Sequence, residues 1–293
     1  MAKYCYDRQP GYKLHHTVEL NPVNSVSPHL HYDTSLVLTY FKRGTGSIKI
    51  EGRLYEIGEG DVILLNRSEL HCCQVNGDRL HERIVLYIKE ALLLPFGCNT
   101  DLFFAPFNRR QGGCGNRISA ESVREWGINR ALEELLELVR VDGEENQVLA
   151  LCSVVRLLAL LKGHLPAQPE DTSLPKTYSR QINGVVAYLN AHFAEEVQMD
   201  DLARRFYISK YHLCRVFKEY MGITIGEYLT RRRLSVANEL LLDNRSAEEA
   251  CYQSGFRSYS NFFKLYQKYQ HTTPQKFKQQ VLREAGVESV PKI

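Results

Sequence analysis

SKYHLCRVFKEYMG, residues 209–222, decides the fold of the C-terminal half. Ser209 suits an N-cap, where its hydroxyl accepts from an orphan amide of the first turn, and Gly222 suits a helix stop. Leu213, Val216, Phe217 and Tyr220 recur at spacings of three and four and form one apolar stripe, the face expected to be buried. Lys210, Tyr211, Cys214, Arg215 and Lys218 lie off that stripe, and Tyr211, Cys214 and Arg215 share one side. DDLARRFY, residues 200–207, precedes the segment as a short helix joined through Ile208. A short helix, a tight turn and a longer helix with basic and aromatic residues near its start make the helix-turn-helix plan, whose second helix enters the major groove of DNA.

The plan occurs twice. AEEACYQSGFRSYSNFFKLYQKYQ, residues 247–270, again gives a short helix, a turn at Ser254 and Gly255, and a longer helix with Phe262, Leu265, Tyr266 and Tyr269 as core stripe. Tyr259, Ser260, Asn261, Phe263 and Lys264 remain near its exposed start. Between the two lies TIGEYLTRRRLSVANELLLD, a helix of about 19 residues and roughly 28 Å, long enough to set two recognition helices about one DNA turn apart. Arg231, Arg232 and Arg233 point in different directions around it, so one is expected in an internal salt bridge and the others exposed. Around these units, apolar-periodic runs at 179–192, 200–207, 209–221, 225–242, 247–253, 258–270 and 274–284 predict an all-helical domain.

The charge distribution agrees. The net charge is +3, but from residue 178 onward there are 17 Lys plus Arg against 12 Asp plus Glu, leaving 20 against 22 before it. A basic C-terminal part behind a slightly acidic N-terminal part suits a polyanion-binding module attached to something else. No window holds about 18 consecutive apolar residues, and MAKYCYDRQPGYK lacks the apolar segment of a signal peptide, so a cytoplasmic protein without a membrane partner is expected. The eight cysteines form no C-x-x-C pair and are expected to be reduced thiols, mostly buried.

The N-terminal half has another pattern. Within residues 28–90, TSLVLTYFK, GSIKIEG, DVILLN and ERIVLYIK are short and rich in β-formers, and turn signals such as KRGTG and IGEGD separate them. An antiparallel sandwich or barrel is predicted. SAESVREWGINRALEELLELVR (119–140) and NQVLALCSVVRLLALLKGHL then read as a helical hairpin, and the apolar surface of the second helix serves either a dimer interface or its own domain's core. HLPAQPEDTSLPK, with three prolines and no hydrophobic period, is the candidate linker. The expected organisation is α+β: a barrel at 1–110, a helical hairpin at 111–163, a linker at 164–178, a DNA-binding domain at 179–284 and a tail at 285–293.

Residues 180–282 resemble the DNA-binding domain of the AraC family of transcription regulators. The matching residues are Asp200 to Ala203, Ser209, Leu213, Arg215, Phe217, Lys218, Gly222, Tyr228, Arg233, Leu234, Ala237, Leu240, Leu241, Gly255, Phe256, Ser260, Phe262, Thr273 and Pro274. The resemblance implies that Tyr211, Cys214 and Arg215 face bases, flanked by Lys210 and Lys218. It places Tyr259, Ser260, Asn261 and Lys264 comparably on the second helix. Arg215 can grip guanine O6 and N7 in a bidentate contact, and Asn261 can do the same for adenine. Ala247, Ala250, Lys264, Tyr266, Gln267 and His271 depart from the family pattern, so the second unit is expected to be less stable or to bind DNA more loosely, with base discrimination resting on the first and phosphate contact on the second.

PHLHYDTSLVLTYFKRGTG and YEIGEGDVILLNRSELH resemble the two halves of a cupin (jelly-roll) barrel, the usual partner domain in this family. His29, His31 and His71 fall at the cupin histidine positions. Ser35 stands where metal-binding cupins carry Glu, and Glu69 is the nearest substitute. A pocket for a small polar molecule, such as a sugar or another metabolite, lined by His29, His31, Ser35, Thr39 and His71 is therefore expected, with no metal and no cofactor. A metal held by the three imidazoles and purely structural histidines are the other readings. His15 and His16 are given no role. The resemblance implies a non-enzymatic activator, a homodimer, with promoter DNA, RNA polymerase and a small-molecule effector as partners. The competing function is a metal-dependent cupin enzyme carrying a DNA-binding domain.

Overall fold

The structure, a computed structural model, describes residues 2–9, 11–20, 31–33, 35–67, 69–76, 80–97, 99–108, 110, 113–164 and 178–284. It divides into two compact units, Met1–Ser173 and Leu174–Ile293. In the first, β1 (Ala2–Gln9), β2 (Tyr12–Leu20), β3 (Leu36–Arg43), β4 (Gly46–Ile50), β5 (Arg53–Ile57), β6 (Val62–Leu65), β7 (His71–Val75), β8 (Leu80–Ile88) and β9 (Arg117–Ile118) build two sheets. One has the order β1-β2-β8-β3-β6-β9 and the other β5-β4-β7, and all registered pairs are antiparallel. The strands at Ala2–Gln9, Tyr12–Leu20, Arg53–Ile57, His71–Val75 and Arg117–Ile118 were not among those read from sequence, where EGRLY reads as a turn.

Alternation along β3 shows how the layers divide. Leu36, Leu38 and Tyr40 join a core with Leu14, Ile84 and Leu86 of the same sheet and with helical residues such as Leu132, Leu135, Val154 and Leu157. Val37 and Phe41, on the other face, pack with Ile48, Ile50, Ile63 and Leu65 in a second core that joins residues of both sheets. The period of two thus assigns one face to the helices and the other to the barrel interior.

The helices of this unit are α1 (Thr100–Phe103), α2 (Ala105–Asn108), α3 (Ala120–Glu125), α4 (Ile128–Arg140) and α5 (Glu144–His164). The first arm of the expected hairpin is broken at Gly127, whose φ of 72° belongs to the left-handed region that favours glycine. By length and composition α5 meets the requirement for a membrane-crossing helix. In this fold Ala150, Val154, Leu157, Leu158 and Leu161 are buried in the core shared with the sheet, each large one stabilising by about 1.5–3 kcal/mol. Val148 and Leu149 on the same helix are exposed.

The second unit contains α6 (Tyr178–Ala191), α7 (Met199–Arg205), α8 (Lys210–Met221), α9 (Ile225–Leu242), α10 (Ala247–Gln253), α11 (Tyr259–Gln270) and α12 (Pro274–Glu284). These match the seven expected runs, with ends displaced by two residues at most. Residues 165–177 of the expected linker and the tail at 285–293 lie outside the described residues. The α8 stripe is buried at Leu213, Val216 and Phe217, and Met221 completes it, while Tyr220 is half-buried. The Phe217 ring meets Tyr228 of α9 edge-on at 5.7 Å.

The second helix-turn-helix core is aromatic where the sequence suggested weakness. Phe262 stands between Phe256 and Tyr266 at 5.1 and 5.5 Å, and Tyr266 in turn meets Phe277. Tyr266 Oη donates to Asn238 Oδ1 at 2.5 Å, and Ser246 with Glu249 closes a capping box on α10. Ala250 is fully buried among these groups, so aromatic bulk fills the space that small side chains leave. Gly255, at φ 91°, lies so close to Ala194 that a Cβ there would stand 2.5 Å from its Cα.

Two further expectations are corrected. None of the three arginines on α9 is idle: Arg231 pairs with Glu227 at 2.9 Å, Arg232 is buried over the Phe193 ring, and Arg233 donates to the Phe193 and Glu195 carbonyls. Among the described residues the cysteines are not mostly buried: Cys5, Cys152 and Cys214 are exposed, Cys72 is half-buried, and Cys73, Cys114 and Cys251 are buried.

Candidate nucleic-acid interface and sensor pocket

Helix α8 starts where Ser209 accepts from His212 N and stops at Gly222. Its buried stripe leaves Lys210, Tyr211, Cys214, Arg215 and Lys218 exposed, as the spacing predicted. Lys210 Nζ reaches Asp200 Oδ2 at 3.1 Å, and Arg215 reaches Glu219 Oε2 and His212 Nδ1, both at 3.3 Å. All these partners are solvent-facing, so the contacts are weak and can be exchanged for contacts to a nucleic acid. On α11, capped by Ser258, the side chains of Tyr259, Ser260, Asn261 and Lys264 are likewise exposed. Sequence reading missed Tyr207, in the turn before α8, which is 95% exposed and held at φ 53°. An aromatic side chain in a left-handed turn gives no apolar pattern to read.

In the first unit a cavity of about 220 Å³ opens between the sheets. His31, Thr39 and His71 line it as expected. Ser35 does not, because it sits in the bend before β3, where the strand's alternation has not begun. His29 lies outside the described residues. The sequence reading missed His15, Thr17, Asp33, Arg83 and Tyr87 on the same wall. His15 and Thr17 alternate along β2, and Arg83, Val85 and Tyr87 along β8; His15 lies opposite Val85 and Thr17 opposite Arg83. His16 points the other way, to Glu82 Oε1 at 3.1 Å.

His31 and His71 are joined by a backbone bridge, with N···O distances of 2.9 and 3.0 Å, which sets their rings 4.2 Å apart. His71 Nε2 faces Asp33 Oδ2 at 3.3 Å, and its Nδ1 lies 2.9 Å from the Glu69 carbonyl. Burial opposes both charges of this pair, but their mutual hydrogen bond and attraction prevail, so the His71 pKa is raised and that of Asp33 lowered. Glu69 does not supply its carboxylate to this group. That side chain is buried elsewhere, accepting from Asn66 N, Gly113 N and Arg110 Nη2.

Further along β8, His81 is 1% exposed and, among the described residues, has no hydrogen-bond partner on either ring nitrogen. Burial, helped by the Arg83 charge, pushes its pKa from 6.5 down to about 4. The unfolded chain therefore binds a proton between pH 6.5 and 4 that the folded chain does not, and stability falls as pH falls through that window. The shift corresponds to about 3 kcal/mol at about 1.36 kcal/mol per unit. His81→Leu is expected to flatten the dependence of urea midpoint on pH between those values. An unchanged slope would assign the dependence to another group.

A ligand-sized cavity in a β-barrel and two helix-turn-helix units with exposed second helices define a DNA-binding regulator with a ligand-binding domain. The family model described as an AraC-like ligand binding domain matches residues 21–161, and one described as a helix-turn-helix domain matches residues 202–280. The chain is 33% identical to the probable transcription factor PqrA of Proteus vulgaris over 33% of this chain and 83% of that protein. It is 26% identical to the uncharacterized HTH-type regulator YbfI of Bacillus subtilis over 79% of this chain and 80% of that one. It is 25% identical to the transcriptional activator RhaS of Escherichia fergusonii over 90% and 96%. The chain belongs to the AraC family of transcription regulators.

Proposed function

We propose that the protein activates transcription in response to a small polar molecule bound in the barrel, with the DNA-reading residues on α8 and α11 and the effector groups around His31, Thr39 and His71. The observation that carries this reading is the cavity of about 220 Å³ lined by imidazole, hydroxyl, carboxylate and guanidinium groups over an apolar floor. That mixture suits a compact ligand with several polar atoms. The exposed Lys210, Tyr211, Cys214, Arg215 and Lys218, with Tyr259, Ser260, Asn261 and Lys264, supply phosphate contacts and base contacts. The activator role rests on the relative RhaS, which bears that name. Regulators rather than enzymes among the relatives favour a non-catalytic barrel. Dimerisation, contact with RNA polymerase and coupling across residues 164–178 belong to the same proposal.

Native mass spectrometry of the full chain isolated from its host tests it. A dimer that carries a small organic mass, and that raises transcript from a promoter recovered by in vitro selection, is the expected result. A chain that selects no sequence from genomic fragments would overturn the regulator reading, and one whose transcription is unchanged by any retained molecule would overturn the sensor reading.

A further inference from the structure

We propose that His31, Asp33 and His71 form a binding site for one divalent transition-metal ion, zinc or an ion of similar preference, on the wall of the barrel cavity. The donor atoms of the three residues lie within 4.8 Å of one another, and all three side chains line the cavity. The backbone bridge fixes His31 beside His71, and Asp33, two residues further on, brings Oδ2 to 3.3 Å from His71 Nε2.

The contacts of His71 leave Nε2 directed at the cluster. A carbonyl oxygen can only accept, so the 2.9 Å contact to Glu69 O places the proton on Nδ1. Nε2 then presents a lone pair to a carboxylate oxygen 3.3 Å away. That lone pair, the Asp33 oxygen and a ring nitrogen of His31 form one cluster of donor atoms within 4.8 Å. The separation also fits, because bonds of about 2.0–2.2 Å in a tetrahedral site set neighbouring donors about 3.3 Å apart. Two imidazoles and one carboxylate suit zinc and its neighbours better than calcium or magnesium, and the Glu69 carbonyl supplies the outer hydrogen bond that orients a metal-bound histidine. The remaining coordination position would face the cavity. The site does not depend on the effector reading, since metal binding is measured without DNA or effector.

The test is a calorimetric titration of the chelator-treated full chain with Zn²⁺, repeated with Co²⁺ and read by visible absorption. One equivalent per chain is expected, with a Co²⁺ spectrum of nitrogen and oxygen ligation rather than the thiolate spectrum that Cys5, Cys152 or Cys214 would give. His31→Gln and Asp33→Asn should each weaken binding by more than about 100-fold, beyond the effect of losing an outer-shell partner. Far-UV circular dichroism confirms that each variant is folded, and His31→Gln removes a half-buried side chain while keeping the backbone bridge. Absence of a stoichiometric site, a thiolate spectrum, or binding unchanged in both folded variants would overturn the proposal and leave Asp33 and His71 as a proton-linked ion pair.

Discussion

Glu69→Ala is expected to destabilise the first unit by about 3–5 kcal/mol, a large part of the ~5–15 kcal/mol that holds a typical domain folded. The Glu69 carboxylate is 1% exposed, with Oε2 on Asn66 N at 2.9 Å and Arg110 Nη2 at 3.2 Å, and Oε1 on Gly113 N at 3.1 Å. The Arg110 side chain is 3% exposed, and its guanidinium also donates to the Pro106, Cys114 and Leu64 carbonyls. Carbonyls orient the cation but carry no countercharge. Removing Glu69 therefore leaves a buried guanidinium uncompensated and two amides without acceptors. Urea denaturation of the full chain should show a lower midpoint for the first unit, with the slope preserved. Glu69→Leu combined with Arg110→Leu should recover part of the loss, because both buried charges are then gone. A loss below about 1 kcal/mol would mean that water reaches the pair. The same residue's carbonyl orients His71, so the variant should also loosen the cavity wall.

These contacts explain which parts of the molecule were legible in sequence. In the second unit several helices are bounded by residues whose chemistry is local: Ser209, Ser246 and Ser258 cap, Gly222 stops, and Pro274 starts the last helix. Their apolar stripes have one buried face, so boundaries and orientation follow from a window of about twelve residues. The first two strands offered no such signal. KLHHTVEL places His15 on the cavity face and His16 on the other, so polar side chains occupy both sides and the alternation is masked. The pocket was half-legible for a related reason. His31 and His71 stood out because they resemble a known pattern, while Arg83 and Thr17 meet only through the β2–β8 register, more than sixty residues apart in sequence. Asp33 was readable in principle, since it continues the spacing of two from His31. Ser35 occupies the position of the cupin Glu but does not line the cavity. Glu69 was beyond local reading, because its partner Arg110 is 41 residues away.

Arg215→Ala should weaken binding to the selected site by about 1–3 kcal/mol, roughly 5- to 150-fold, and leave binding to random DNA nearly unchanged. The side chain is exposed on α8 and, among the described residues, contacts Glu219 and His212 on the surface of the same helix, so its removal should change stability by no more than about 0.5 kcal/mol. That separation makes the variant informative, since a loss of affinity cannot be charged to unfolding. A guanidinium that reads guanine and one that neutralises a phosphate differ in salt dependence. The first leaves the slope of log affinity against log salt unchanged, and the second lowers it by about one. Competition binding at two salt concentrations, with Lys210→Ala alongside, distinguishes them. Equal losses on selected and random DNA, with a shallower slope, would make Arg215 a phosphate contact and move base reading to its neighbours Tyr211 and Cys214. Neither of those can match two guanine acceptors at once, so bidentate base reading would then fall to the second helix-turn-helix unit, where Asn261 offers the one bidentate amide among the proposed contacts.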